Sequence, residues 1–367
     1  MRPPYVPLRY KCGNFSVSAN RGHRRTRTMH IFLRISLGLI KMKNLTLFLT
    51  TALFILVSTI MMYALEPANF ETLTNTFYFV MTTFTTVGYG DYSPVTLPGK
   101  LFAVFMFLIG IGLLGVVIGK IVDSFTLFRR MREEGRISYM NNRHIIIIGW
   151  GKKSESAIKE ILDSDEEVEV VVIDTLAKAP MDLTDNRLHY IQGDPSSEEP
   201  FIKANMTQAN AVIIFSDDNI QEASLKDAKT LLVSITVGRL APHVHTTVEV
   251  MAEKNLANFS HVQVDEFILS QETISRLAVR SALYKGVSKV YSQLISRQHG
   301  EDLYQLSKHP SWVTYNDAFQ DLLKQGATLI ADRDFLDINR RLSEPIPEEA
   351  QLYIICNKET YERLRVS

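Results

Sequence analysis

The stretch that decides the fold is TTVGYGD, Thr85-Thr86-Val87-Gly88-Tyr89-Gly90-Asp91. Gly88 and Gly90 alternate with side-chain-bearing residues, and glycine adopts left-handed backbone at little steric cost. A strand built this way can turn successive carbonyls to one side. Working outward, the stretch is flanked by two uncharged apolar runs, Leu45–Leu65 and Leu101–Gly119. At about 1.5 Å per helical residue, each is long enough for a ~30 Å hydrocarbon core. Between the first run and the glycines, residues 69–83 have a helical pattern but are too short to cross, so a half-helix dipping into the membrane is expected. Irregular backbone at membrane depth is tolerated only where it lines a pore or is buried in protein. A half-helix also aims the negative end of its dipole at the cavity, which favours a cation.

Composition sorts the rest. The 367 residues carry 40 basic and 40 acidic side chains and are 46% hydrophobic. Such a chain is neither disordered nor collagen-like, and its neutrality excludes a generic nucleic-acid binder. The neutrality is a cancellation: residues 1–43 hold ten Lys/Arg and no acid, whereas residues 143–367 carry a net charge of −10. Basic residues precede the first run (Lys41, Lys43) and follow the second (Lys120, Arg129, Arg130, Arg132), which places both termini in the cytoplasm of a multi-pass membrane protein. Cys12 and Cys356 are too few for a disulfide framework, in keeping with a reducing compartment. Residues 1–43 read as a basic segment, partly disordered, with Ile31–Ile40 as an interfacial helix. Met29 and Met42 offer alternative starts for the chain.

The TTVGYGD stretch, set after a half-helix and between two spans, resembles the selectivity filter of two-transmembrane potassium channels. The resemblance implies ion sites made by the carbonyls of Thr86, Val87, Gly88 and Tyr89 and the Thr86 hydroxyl. Gly90 completes the loop, Tyr89 braces it and Asp91 stands at the outer mouth. Rings of backbone carbonyls replace the water shell of K+, so one chain is a quarter of a homotetramer in a lipid bilayer. Gly110, twenty residues past Gly90, matches the family's gating hinge; close helix packing is the other reading of this glycine. No span carries arginine at every third position, so no voltage sensor is expected.

Beyond a charged connector, 129–142, short apolar runs alternate with helical stretches. The runs are His144–Gly149, Val168–Asp174, Leu188–Asp194, Ala211–Ser216, His245–Met251 and Val262–Leu269, with helices at Ser154–Asp163 and Asn219–Val237. This alternation predicts a Rossmann-like, doubly wound parallel α/β sheet. Gly149-Trp150-Gly151-Lys152-Lys153-Ser154 has the G-x-G-x-x-G form with serine third, and Asp174 closes the second strand where a ribose-binding acid belongs. A candidate nucleotide site comprises Gly149, Gly151 and Asp174, joined by Asp194 after the third strand; a fold that keeps this shape without binding a ligand is the other reading.

A Rossmann-like domain behind such a pore is similar to the regulator-of-potassium-conductance (RCK) family, in which Gly193-Asp194-Pro195-Ser196 matches a turn. The resemblance implies an RCK N-lobe at 143–269, crossover and dimerising helices at 270–298, and a small α+β C-lobe at 299–367, all behind a pore at 44–128. It also implies ligand gating through a ring of RCK domains. Extra soluble RCK subunits could complete an octameric ring, with Met131 and Met140 as internal starts. The gating ligand is either a nucleotide (NAD/NADH, ADP or ATP) or Ca2+. For the metal, Asp194, Asp217, Asp218 and Glu222 are the candidate ligands; an Asp-Asp-Asn run after a strand is otherwise a solvated helix cap. A membrane-anchored dehydrogenase and a non-conducting transporter subunit are the rival classes. The first lacks a catalytic His/Lys constellation, and neither accounts for TTVGYGD, so a channel and not an enzyme is expected.

Overall fold

A computed structural model describes residues 43–296 and 300–366; the basic segment and the Ile31–Ile40 helix expected within it lie outside the described residues. The chain forms two compact units that divide after Phe128.

In the first unit, α1 (Asn44–Leu65) is followed by a single turn, α2 (Pro67–Phe70), a half-length α3 (Leu73–Phe84) and the long α4 (Leu97–Glu133). The half-helix begins later than its pattern suggests. Glu71 takes a left-handed φ of 58° and interrupts the run, and Thr72 restarts it by accepting a bond from the Asn75 amide, a cap worth about 1 kcal/mol. Helices α1 and α4 are long and apolar enough to cross a membrane. Their outward side chains, including Leu45, Phe48, Leu101 and Leu108, find no protein cover; a surface so apolar suits lipid or neighbouring subunits, not water. Inside, Met62, Phe70, Phe79, Val80, Ala103 and Met106 make one cluster. Buried Glu66 holds the far end of the loop, accepting from the Val95 and Thr96 amides at 3.0 and 2.7 Å and from the Thr96 hydroxyl at 2.6 Å.

Helix α4 outlasts its apolar run by fourteen residues. The i,i+4 pairs Arg129–Glu133 and Arg130–Glu134 support its last turns, as opposite charges at that spacing do. The expected connector at 129–142 is thus helical at its start.

The second unit is a six-stranded parallel sheet followed by a three-stranded lobe. Strands β1 (Ile145–Ile148), β2 (Val170–Asp174), β3 (Leu188–Gln192), β4 (Ala211–Ile214), β5 (His245–Val250) and β6 (Glu266–Leu269) lie in the order 3-2-1-4-5-6. All six expected runs contain strands, each shorter than its run by one to four residues. Helices α5 (Lys152–Ser164), α6 (Glu199–Lys203) and α7 (Ala223–Leu240) are the main connections. Helix α7 starts four residues later than expected, because Asp217 turns the chain by accepting from the Asn219 amide and side chain. The central strands β1 and β2 are buried by near-continuous Ile and Val, the pattern of parallel sheets, whereas β6 at the sheet edge is mostly exposed.

Next come α8 (Ser270–Leu283) and α9 (Val287–Ile295), in which no side chain is buried. Ile274, Val279, Leu283, Val290 and Ile295 are all more than half exposed. The lobe that follows has β7 (Asp302–Ser307), α10 (Tyr315–Lys324), β8 (Thr328–Asp332), β9 (Gln351–Cys356) and α11 (Lys358–Val366), with its strands antiparallel in the order β7-β9-β8. Its core gathers Trp312, Tyr315, Leu322, Leu352, Ile354 and Cys356.

Candidate functional site: a carbonyl loop and a glycine-loop cleft

The loop after α3 is drawn tight against that helix. The Thr82 carbonyl accepts from the amides of both Val87 (2.8 Å) and Gly88 (3.1 Å), and the Thr83 carbonyl accepts from Thr86 (3.0 Å). Three alternate residues take left-handed φ: Thr86 (63°), Gly88 (54°) and Gly90 (80°). Two of these were legible as glycines. Thr86 was not, since an L-residue at positive φ is uncommon and carries strain. The alternation turns the backbone the same way at every second residue. Tyr89 stacks on Tyr78 of α3 with ring centroids 6.3 Å apart and planes within 3°. Val87 and Tyr89 remain 54% and 71% exposed in a single chain, so the loop of one chain is only part of a packed structure. Gly110 is buried where a Cβ would sit 3.2 Å from the Phe84 ring. That favours the packing reading of this glycine without removing the hinge reading.

In the second unit, Gly149 (φ 88°) follows β1, and extended Gly151 caps α5. At Gly151 the glycine lets Asp218 come close: a Cβ there would lie 2.9 Å from its carboxylate oxygen, and that side chain would have to turn aside. Serine replaces the third glycine without loss of packing. Ser154 is buried, and its hydroxyl donates to the Gly149 carbonyl at 2.6 Å. Asp174 faces the loop, accepting from the Trp150 amide at 2.8 Å and the Leu176 amide at 3.0 Å. These residues line a cleft of about 250 Å³ that also includes Lys153, Ser216, Asp217, Asp218 and Lys229. The free amides at the start of α5 make an anion-binding end.

The four acidic residues considered for a metal do not converge. Asp217 is ion-paired with Lys229 at 2.6 Å, and Asp218 with Lys153 at 3.2 Å and Lys226 at 3.8 Å. Asp194 accepts from the Ser196 amide in its own turn, which holds its carboxyl below the usual range. Glu222 precedes α7 without a side-chain cap. Among the described residues, no three His, Cys, Asp or Glu side chains gather as metal ligands. Of the lysines that neutralise this group, Lys226 and Lys229 stand on α7 just beyond it, and Lys153 comes from α5.

A residue that sequence reading missed is Glu249, inside the apolar run of β5. It is 4% exposed and bonds Lys153 and Ser216. Burial pushes its carboxyl up, but the bonds from Lys153, Ser270 and Ser216 outweigh this and hold it low.

The segment after α4 is sewn to the sheet edge. The Gly135 carbonyl accepts from Gln192 (3.1 Å), and Arg132 donates to the carbonyl of Leu188 (3.1 Å). The Tyr139 amide donates to Lys203 and its hydroxyl to Glu169. The Tyr139 ring lies 4.4 Å from His144 and 5.5 Å from His189. His144 donates from Nε2 to the Ala204 carbonyl, leaving Nδ1 buried without a partner; His189 bonds the Ile137 carbonyl. Burial lowers both histidines below 6.5 despite their bonds and the nearby Glu169 carboxylate. A histidine kept neutral in the fold binds a proton more readily when unfolded. Stability is therefore fully present above about pH 6.5 and falls as pH drops from there toward the lowered native values. A melting series from pH 7.5 to 5.5 should show this decline, and His144→Gln should flatten it.

Comparison with known proteins agrees with this division. Residues 49–126 match the family described as an ion channel, and residues 145–270 match the TrkA-N domain. The protein YugO of Bacillus subtilis is 30% identical over 217 residues, 58% of this chain and 64% of that one. The calcium-gated potassium channel TvoK of Thermoplasma volcanium is 34% identical over 219 residues, 58% of this chain and 60% of that one. The aligned stretch thus spans less than two thirds of either relative. Among solved structures, the GsuK channel is 17% identical with a TM-score of 0.47, covering 91% of this chain and 60% of that chain.

Proposed function

We propose that this chain, which matches an ion-channel family at residues 49–126 and the TrkA-N domain at residues 145–270, is a two-span channel that conducts K+ across the cell membrane and is gated by a ligand of its second unit. The observation that carries the reading is the alternation of left-handed backbone at Thr86, Gly88 and Gly90, between two membrane-length helices. Carbonyls repeated on one side suit a dehydrated cation, and four such loops complete the coordination, so the assembly is a homotetramer with both termini in the cytoplasm. Thr86 to Gly90 form the filter and Asp91 its outer mouth; Gly110 serves as the hinge. Potassium flux from purified protein in liposomes, blocked by barium and accompanied by no NADH oxidation, supports the channel. NADH turnover without flux refutes it.

The ligand favoured by the cleft is a nucleotide. Its phosphate would lie at the start of α5 by Gly149 and Gly151, and its ribose against Asp174; Asp194 stands in the turn beyond β3. A Ca2+ site, suggested by the name of TvoK, is disfavoured because lysines already neutralise Asp217 and Asp218. Asp174→Ala removes both the ribose acceptor and the bond that holds the Trp150 amide. In calorimetric titration, ADP affinity should fall at least tenfold, and an unchanged affinity counts against the site. The exposed apolar faces of α8 and α9 serve as the dimer contact between second units.

A further inference from the structure

Glu249 and Lys153 carry no part of the glycine fingerprint, yet they join the cleft to a helix outside it. The Glu249 carboxylate is fully engaged: Oε2 accepts from Lys153 Nζ at 2.7 Å, from the Ser216 amide at 2.8 Å and from the Ser216 hydroxyl at 2.7 Å. Its Oε1 accepts from the Ser270 hydroxyl. Ser270 is the first residue of α8. Lys153 sits in the first turn of α5, lines the cleft with its side chain one third exposed, and also reaches Asp218 at 3.2 Å. One ammonium thus closes a chain of contacts running from the glycine loop, across the ends of β4 and β5, to the start of α8.

A buried carboxylate depends on its cation, and removing that cation leaves an uncompensated charge. A phosphate at the start of α5 would meet the same ammonium. Lysine is a compact point charge with three donors on a flexible stem, so it can turn from one anion to the other. We propose that Lys153 is the phosphate-responsive residue of the cleft, shared between Glu249 and the bound ligand, so that filling the cleft loosens the Glu249–Ser270 hold on the first turn of α8. This deepens the nucleotide reading and rests on it. It also gives that reading a physical route to the helices whose apolar faces are uncovered.

Competition makes an unusual demand on two variants of one ion pair: they must act in opposite directions. In the full-length protein in detergent, Lys153→Met should weaken ADP binding at least tenfold by calorimetry. Glu249→Gln should tighten it about threefold or more, because the ligand no longer contends for the ammonium. Ser270→Ala removes only the α8 end, leaves the buried charge pair in place, and by the reciprocity of coupled equilibria should tighten ADP in the same direction. Hydrogen exchange over 270–283 should speed up when ADP binds the native protein. In the Ser270→Ala protein it should already be fast and respond no further. If ADP binds the native protein but both Glu249→Gln and Ser270→Ala weaken it or leave it unchanged, the relay is wrong and the nucleotide site stands. Unaltered exchange over 270–283 on ADP binding has the same meaning. If neither ADP nor NADH binds the native protein, the site and the relay fall together.

Discussion

Replacing Gly88 by alanine should abolish the proposed potassium-selective current while leaving the second unit folded. The cause is conformational and not a collision. Gly88 has a φ of 54°, and no atom lies within 4 Å of where a Cβ would stand. An L-residue in left-handed backbone costs about 1–2 kcal/mol, and in the proposed tetramer four such loops would multiply this to roughly 4–8 kcal/mol per channel. The cheaper state is one in which the residue returns to negative φ and its carbonyl turns off the pore axis. One displaced ring of oxygens removes a site at which K+ exchanges its water. Thr86 makes the comparison sharper, because it bears the same strain at φ 63° in the native protein. A second strained residue two positions on would have to be tolerated in the same loop. Flux from liposomes, with K+ competed against Na+, measures the effect. A thermal melt of the second unit that stays within about a degree of the native value confirms that the loss is local. Preserved selectivity in Gly88→Ala protein overturns the assignment of this loop as the filter.

Much of this architecture was legible because its signals are local. A charge-free run of about twenty residues marks a span, and short apolar runs mark parallel strands; all six strands form within the runs that predict them. What escaped depends on pairing across distance. Lys226 and Lys229 lie within twelve positions of Asp217-Asp218, but nothing there announces that Lys153, 65 positions before Asp218, will pair with it. Glu249 reads as a blemish in a strand until Lys153, 96 positions earlier, is brought beside it. Helix α4 shows the opposite failure. Its apolar pattern stops at Gly119, but its propensity does not, and the Arg–Glu pairs that carry it to Glu133 were counted only as connector charge. Gly135 was passed over for the same reason, although glycine just after a helix is the common left-handed cap.

Gly135→Ala should leave ADP binding intact while cutting the response of the pore to it. Gly135 stands two residues beyond α4, with a φ of 62°, and a Cβ there would overlap the Gln192 amide and press on the Tyr190 ring. Backbone atoms cannot swing aside as a side chain can, so the seam between this segment and β3 must open. The losses are left-handed strain of about 1–2 kcal/mol and the bond from the Gln192 amide to the Gly135 carbonyl, worth about 1 kcal/mol. The neighbouring bonds at Arg132, Glu133 and Ile137 share this seam and should weaken with it. None of these residues lines the glycine-loop cleft, so the ligand still finds its site. In the proposed gating, a pull generated in the sheet would have to pass to α4 through this segment, and a slack seam would transmit little of it. Hydrogen exchange should rise at least tenfold at Ala179 and Gln192, whose amides donate across the seam. Bilayer recordings should show an open probability that no longer changes as ADP is added on the cytoplasmic side. A Gly135→Ala channel that follows ADP like the native protein, with both amides still protected, would mean that the seam is not the route by which the second unit moves the pore.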